Sequence, residues 1–155
     1  MSYRIELLAD HDRRNFSCGS IALDRYFREQ ATQDVRRRLA TCFVAVSDED
    51  EVAGFYTLAA TSLAFDRLAP EDAKKLPRYP VVPAILLGRL ATALAHQGKR
   101  LGASLVADAI SRSIRSDIVG YAMLVDAKDA KAAAFYQKLG FRSLPDSPLR
   151  LVRRL

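Results

Sequence analysis

A mixed α/β domain, with a central β-sheet flanked by helices, is the fold class that the sequence predicts. Three observations carry it. The first is the stretch from Val82 to Ile114, an apolar run broken early only by Arg89, which passes through the turn Thr92 to His96 into Gln97-Gly98-Lys99-Arg100-Leu101-Gly102-Ala103. Apolar residues then recur at helical spacing, Leu101, Leu105 and Ala109 in one row and Val106, Ile110 and Ile114 in the next. The second is a hairpin signal: the β-formers of Thr41 to Ser47, the acidic turn Asp48-Glu49-Asp50, and a long return strand from Val52 to Phe65. The third is another strand and helix, Tyr121 to Val125 followed by a helix that Asp129 caps and Gly140 stops.

The remaining elements follow in order. Tyr3 to Leu8 alternates weakly and reads as a short opening strand. Phe16-Ser17-Cys18-Gly19-Ser20 is a turn that offers Ser20 as an N-cap. Leu23, Phe27, Ala31 and Val35, spaced by four, mark the apolar face of a helix from Ile21 to Leu39. Its other face carries Arg25, Arg28, Arg36 and Arg37, with Glu29 and Asp34 as partial partners, and such a face is either solvated or turned to nucleic acid. Asp66 to Pro80 holds three prolines and reads as a connection with a short helix at Pro70 to Leu76, placed to wall a substrate cleft. Ala132, Phe135 and Leu139 line one side of the last helix. Phe141 to Leu144 and Leu149 to Val152 close the chain as two short strands around a Pro-Asp-Ser-Pro turn. The expected order is β, α, ββ, β, α, β, α, ββ, in one domain spanning residues 1–155.

Composition narrows the function classes. A chain of 155 residues can bury a real core, and a hydrophobic share of 50% is ordinary for a globular protein. The first residues lack the basic and apolar regions of a signal peptide, and no apolar run reaches membrane-spanning length. Cys18 and Cys42 have no metal-like spacing and are too few for a disulfide framework, so a cytoplasmic setting with no membrane is expected. The net charge of +6 is compatible with an anionic ligand or nucleic acid. No P-loop, His-Glu-x-x-His, paired Cys-x-x-Cys or Gly-x-Ser-x-Gly motif is present, and no metal is expected. His11 and His96 read as surface residues.

The glycine-bearing turn has a chemistry of its own. A helix N-terminus presents unpaired N–H groups and the positive end of the helix dipole. Gly98 and Gly102 let backbone approach a ligand, and Lys99 and Arg100 add full charges, a setting suited to phosphate or pyrophosphate.

Two motifs point further. Gln97-Gly98-Lys99-Arg100-Leu101-Gly102 follows a Gln/Arg-x-x-Gly-x-Gly/Ala pattern with Arg100 at the middle glycine. Asp129, Ala132, Phe135, Tyr136, Lys138, Gly140 and Phe141 follow Asn-x-x-Ala-x-x-Phe/Leu-Tyr-x-Lys-x-Gly-Phe with Asp for Asn. Together, in this order, they resemble the GNAT superfamily of N-acetyltransferases. The resemblance implies the GNAT fold, with acetyl-CoA as cosubstrate where the central strands splay. It places Leu90, Ala91 and Thr92 on the thioester and pantetheine arm, and Gln97, Gly98, Lys99, Arg100, Gly102 and Ala103 at the pyrophosphate. Asp129 and Phe135 join the cofactor-binding set. Tyr136 becomes the general acid for the CoA thiolate; otherwise it is an aromatic packed beside Phe135.

A narrower resemblance covers nearly the whole chain. Phe16-x-Cys18-Gly19, Leu23-Asp24, Arg36-Arg37-Arg38, Phe43-Val44, Leu76 to Pro80, Pro83-Ala84, Leu87 to Ala91 and Asp126 to Asp129 are similar to the acetyltransferase toxins of toxin–antitoxin pairs. This implies acetylation of the α-amino group of aminoacyl-tRNA, arrest of translation, a ribbon-helix-helix antitoxin as partner, and a homodimer. It also implies a tRNA surface at Arg36, Arg37 and Arg38, with Lys74, Lys75 and Arg78 as further candidates. Arg89, a charge within an apolar strand, reads either as a contact to substrate phosphate or as half of a structural ion pair. The rival readings are acetylation of a small-molecule amine or peptide N-terminus, and a non-catalytic CoA-binding regulator.

Overall fold

Weak alternation in Tyr3–Leu7 is enough for a strand, β1, because it lies antiparallel to Thr41–Ser47, β2, with Tyr3 opposite Ser47. The β-formers of β2 then pair antiparallel with Val52–Ala64, β3, through a turn that holds Asp50 at φ 62°. The computed structural model describes residues 2–155. Four more strands follow: β4 (Val81–Thr92), β5 (Ala122–Asp126), β6 (Arg142–Leu144) and β7 (Ser147–Arg154). The seven form one sheet in the order β1-β2-β3-β4-β5-β7-β6, and β5 with β7 and β6 with β7 are antiparallel. This is the mixed α/β architecture that the sequence predicts, in the predicted element order.

The chain divides into two compact units, each taking part of β3 and β4. The first runs to Ala59 and includes Leu87–Ser111. Its helical part starts as expected at Ile21, where the Ser20 hydroxyl accepts the Leu23 N–H at 3.3 Å. After α1 (Ile21–Arg25) the helix widens to a π-helical stretch, Tyr26–Gln30, and resumes as α2 (Ala31–Arg36). The Ala31 N–H bonds the carbonyl of Tyr26, five residues back. Tyr26 and Asp34 therefore turn inward beside Phe27 and Ala31, while Val35 is 37% exposed, so the row from Leu23 does not reach its predicted end. The Tyr26 hydroxyl donates to Asp34 at 2.8 Å, which accounts for a buried carboxylate.

The helix also stops three residues before the expected Leu39. Arg38 sits at φ 61°, and the N–H groups of Arg38 and Leu39 bond the carbonyls of Val35 and Asp34 at 3.1 and 2.9 Å. That paired stop normally uses glycine; here arginine occupies it, and no sequence signal marked the end. Within this unit Phe27 stacks on Phe55 at 4.1 Å and Phe16 meets Phe27 edge-on at 4.8 Å. Val44, Val46, Ala91 and Ala93 complete that core.

The second unit comprises Ala60–Leu86 and Arg112–Leu155. Leu63, Val82, Ala84, Leu124 and Leu144 form its core. The expected return strand ends at Ala64, because Phe65–Arg67 is already a 3-10 turn, and a four-residue helix, α3 (Pro70–Ala73), follows. This connection does wall a cleft, of about 590 Å³, against the β6–β7 hairpin. Glu71 and Asp72 reach Arg142 and Arg154 there at 3.2 and 3.4 Å. None of the residues assigned to cofactor or substrate lines it. The closing turn is shorter than expected, with Ser147 and Pro148 already inside β7. The two remaining helices are α4 (Leu101–Arg115) and α5 (Ala130–Lys138). No helix among the described residues is long and apolar enough to cross a membrane.

Candidate active site

β4 delivers its last residues, Leu90, Ala91 and Thr92, to the turn that precedes α4. The approach at this end is close. A Cβ on Gly54 of β3 would lie 2.9 Å from the Ala91 carbonyl oxygen and 3.1 Å from Leu105, so only glycine lets the backbones meet there. The Ala93 N–H bonds the Ala53 carbonyl at 2.8 Å, and a 3-10 turn, Leu94–His96, leads to Gln97. The Gln97 amide nitrogen donates to the carbonyls of Thr92 and Cys18, each at 3.2 Å. Gln97, predicted to touch cofactor, thus directs its side-chain N–H groups back at the protein.

The next residues face outward. Gly98 takes φ 79° with open space where a side chain would start, and Arg100 takes φ 61°. Arg100 therefore follows the left-handed path that glycine would follow without strain, and its carbonyl accepts the Ser104 N–H at 3.2 Å to start α4. Gln97, Gly98, Lys99 and Arg100 are exposed, neither basic side chain has an ion-pair partner among the described residues, and the first turn of α4 holds no acidic residue. With Gly102 and Ala103 in that first turn, the segment offers N–H groups, a helix dipole and two unpaired cations to an anion.

In the second unit, the Asp129 carboxylate caps α5 by accepting the Ala132 N–H at 2.8 Å. Asp129, assigned to cofactor, has this structural duty. Tyr136, on the same helix, is 9% exposed, with Phe135 and Phe141 edge-on at 5.0 and 5.6 Å. Burial pushes its phenol up to about 12. Its hydroxyl has no hydrogen-bond partner among the described residues. Among the described residues the Ser113 hydroxyl alone is sealed from solvent without a partner, so the Tyr136 hydroxyl reaches the surface and is open to a ligand.

The family model described as "Acetyltransferase (GNAT) domain" matches residues 38–143. The chain belongs to the GNAT acetyltransferase family. Among curated GNAT relatives, the tRNA-acetylating toxin of Mycobacterium tuberculosis is 38% identical over 91% of this chain and 84% of its own. The probable toxin TacT of Sinorhizobium fredii is 26% identical over 91% of this chain and 83% of its own. Among solved structures, AtaT complexed with acetyl-methionyl-tRNAfMet superposes with a TM-score of 0.89 at 29% identity, covering 99% of this chain and 95% of that one. A tyrosine-to-phenylalanine mutant of KacT gives 0.86 at 30% identity with the same coverage. An AtaT mutant toxin bound to the C-terminus of the antitoxin AtaR and acetyl-CoA gives 0.78 at 28% identity, covering 98% and 92%.

Against this GNAT frame, the arginines sort themselves. Arg89 is exposed and its guanidinium lies 3.8 Å from the centroid of the Tyr26 ring. It has no carboxylate partner among the described residues, so the ion-pair reading is replaced by a cation–π contact. Arg36, Arg37 and Arg38 are exposed in the same unit and Lys74, Lys75 and Arg78 in the other, none with an ion pair among the described residues, and Lys74 lies within electrostatic reach of Glu71. His96, expected on the surface, is 6% exposed, and its Nδ1 is 2.9 Å from the Tyr3 hydroxyl. Its partner is 93 residues away, beyond the reach of local pattern. Thr57, which nothing in the sequence singled out, is buried, and its hydroxyl accepts the Arg89 N–H at 3.1 Å.

Proposed function

We propose that this GNAT enzyme transfers the acetyl group of acetyl-CoA to the α-amino group of aminoacyl-tRNA and thereby blocks translation. The observation that carries the reading is similarity across nearly the whole chain to a tRNA-acetylating toxin and to AtaT holding acetyl-methionyl-tRNAfMet. The geometry supports it at two places. Lys99, Arg100 and the start of α4 have the unpaired charge and N–H groups that a pyrophosphate needs, with Gly102 and Ala103 in the first turn. Leu90, Ala91 and Thr92 supply backbone groups for the pantetheine arm and the thioester carbonyl.

The chemistry asks little of a base. A free α-amino group titrates near about 8, and a neighbouring ester lowers that, so much of the substrate amine is already neutral. The amine attacks the thioester carbonyl, the C–N bond forms, the C–S bond breaks, and the proton that the amine sheds passes through water to Tyr136, restoring the phenol once it has protonated the sulfur. Tyr136, protonated at neutral pH, donates its hydrogen to the sulfur as charge develops there. A thiol's ordinary value of about 8.5 means that complete transfer is coupled to the proton the amine releases. Phe135 holds the ring from one side.

Arg36, Arg37, Arg38 and Arg89 are the proposed contacts to tRNA phosphate, with Arg89 held in place by Tyr26. A small ribbon-helix-helix antitoxin and a second copy of the chain are the proposed protein partners; the AtaR complex supports the first in kind. Thiol release from acetyl-CoA should require charged tRNA and fail with uncharged tRNA, and Tyr136→Phe should lose about a hundredfold or more. Equal release with a polyamine or a peptide N-terminus would overturn the tRNA reading in favour of a small-substrate acetyltransferase.

A further inference from the structure

The segment before the basic turn is tied down at Ala93, Leu94, His96 and Gln97, and one tie comes from the far end of the chain. Ala93 N–H bonds Ala53, Leu94 N–H bonds Ser17 at 2.8 Å, and Gln97 binds the carbonyls of Thr92 and Cys18. Between them, His96 is buried, and its side-chain contact is to Tyr3 of β1, at 2.9 Å to the hydroxyl and 5.5 Å edge-on between rings. Tyr3 is itself fixed by register, opposite Ser47 of β2. One residue after Gln97 the ties cease, and Gly98 and Arg100 take left-handed conformations on exposed backbone. A turn with two left-handed residues is held from its two ends, by the tied segment before it and by α4, where the Arg100 carbonyl accepts the Ser104 N–H.

We infer that Tyr3 and His96 are positioning residues for acetyl-CoA, holding the start of the 97–103 turn so that its N–H groups and cations converge on the pyrophosphate. The inference rests on the proposed cofactor role of that turn. Neither residue touches the ligand; they act through Gln97 and Gly98. A hydroxyl removed from this pair leaves the buried imidazole nitrogen without its partner, and the turn gains freedom that binding must then remove.

Tyr3→Phe keeps the ring and loses only the hydroxyl. It should raise the acetyl-CoA Kd and KM by about three- to tenfold, the worth of one hydrogen bond, with kcat at saturating acetyl-CoA within about twofold. The KM for the acceptor amine should not move. His96→Asn, whose amide reaches the position of Nδ1, should stay near the parent. Lys99→Ala is the control for the turn itself. If Lys99→Ala weakens acetyl-CoA and Tyr3→Phe does not, the positioning role is wrong. A fall in kcat with unchanged KM would overturn it as well, showing a general structural loss. If Lys99→Ala also leaves the Kd unchanged, the cofactor role of the turn fails, and the inference with it.

Discussion

Arg100 shows what a single residue can hide. The motif departs from glycine there, yet the backbone adopts φ 61°, the conformation for which glycine is usually required. Arg100→Gly should relieve left-handed strain of about 1–2 kcal/mol and add unfolded-state entropy, for a net stability gain of about 0.5–1 kcal/mol by urea unfolding. The same change removes a cation, so acetyl-CoA should bind a few-fold more weakly, most clearly at low salt. Greater stability with tighter binding would show that the arginine obstructs the site instead. The conformation could be read from the motif only by trusting the pattern over the residue type. By contrast, Asp129 and Gly140 were legible outright, because a cap and a left-handed stop are local: one N–H at 2.8 Å and one φ of 94°.

At the scale of elements, the joint between β3 and β4 is the sensitive one. Gly54→Ala would put a methyl group 2.9 Å from the Ala91 carbonyl, against backbone that cannot rotate away. The variant should lose about 1–3 kcal/mol of stability and weaken acetyl-CoA binding, because the strand end that must move carries Ala91 and Thr92. A calorimetric melt and an acetyl-CoA titration check both, and an unchanged melt would refute the close approach. Elements defined by composition and period, such as β2, β3 and α4, were legible in the sequence. The helix from Ile21 was legible at its start and not at its end, since a π-helical stretch shifts the inward face and Arg38 supplies the stop without glycine. The contacts of His96, Thr57 and Arg89 were not legible, because each partner lies 32 or more residues away and is set by strand register or tertiary packing.

For the whole molecule, buried protons set the alkaline limit. Burial pushes the Cys42 thiol and the Tyr136 phenol up to about 12, and raises Tyr26, which is also bonded to Asp34. An unfolded chain releases these protons from about pH 9 for cysteine and about pH 10 for tyrosine, while the folded chain keeps them. The unfolded state then binds fewer protons, so stability is complete below that window. It should fall by about 1.4 kcal/mol per pH unit for each group as pH rises toward 12. Urea midpoints measured from about pH 8 to about pH 11 should decline steadily, and a flat series would show that these groups are not held protonated by the fold. Between about pH 6 and about pH 8 the rate should instead rise as the substrate amine loses its proton and then level off, with no loss from Tyr136.

The acceptor itself is the central claim. Aminoacyl-tRNA incubated with the protein and acetyl-CoA, then digested with nuclease, releases the 3′-terminal aminoacyl-adenosine for mass spectrometry. The α-amino group of that fragment should be heavier by one acetyl group, and the Tyr136→Phe protein should leave it almost entirely unmodified. A fragment of unchanged mass, with acetyl-CoA consumed on some other amine, would contradict the account.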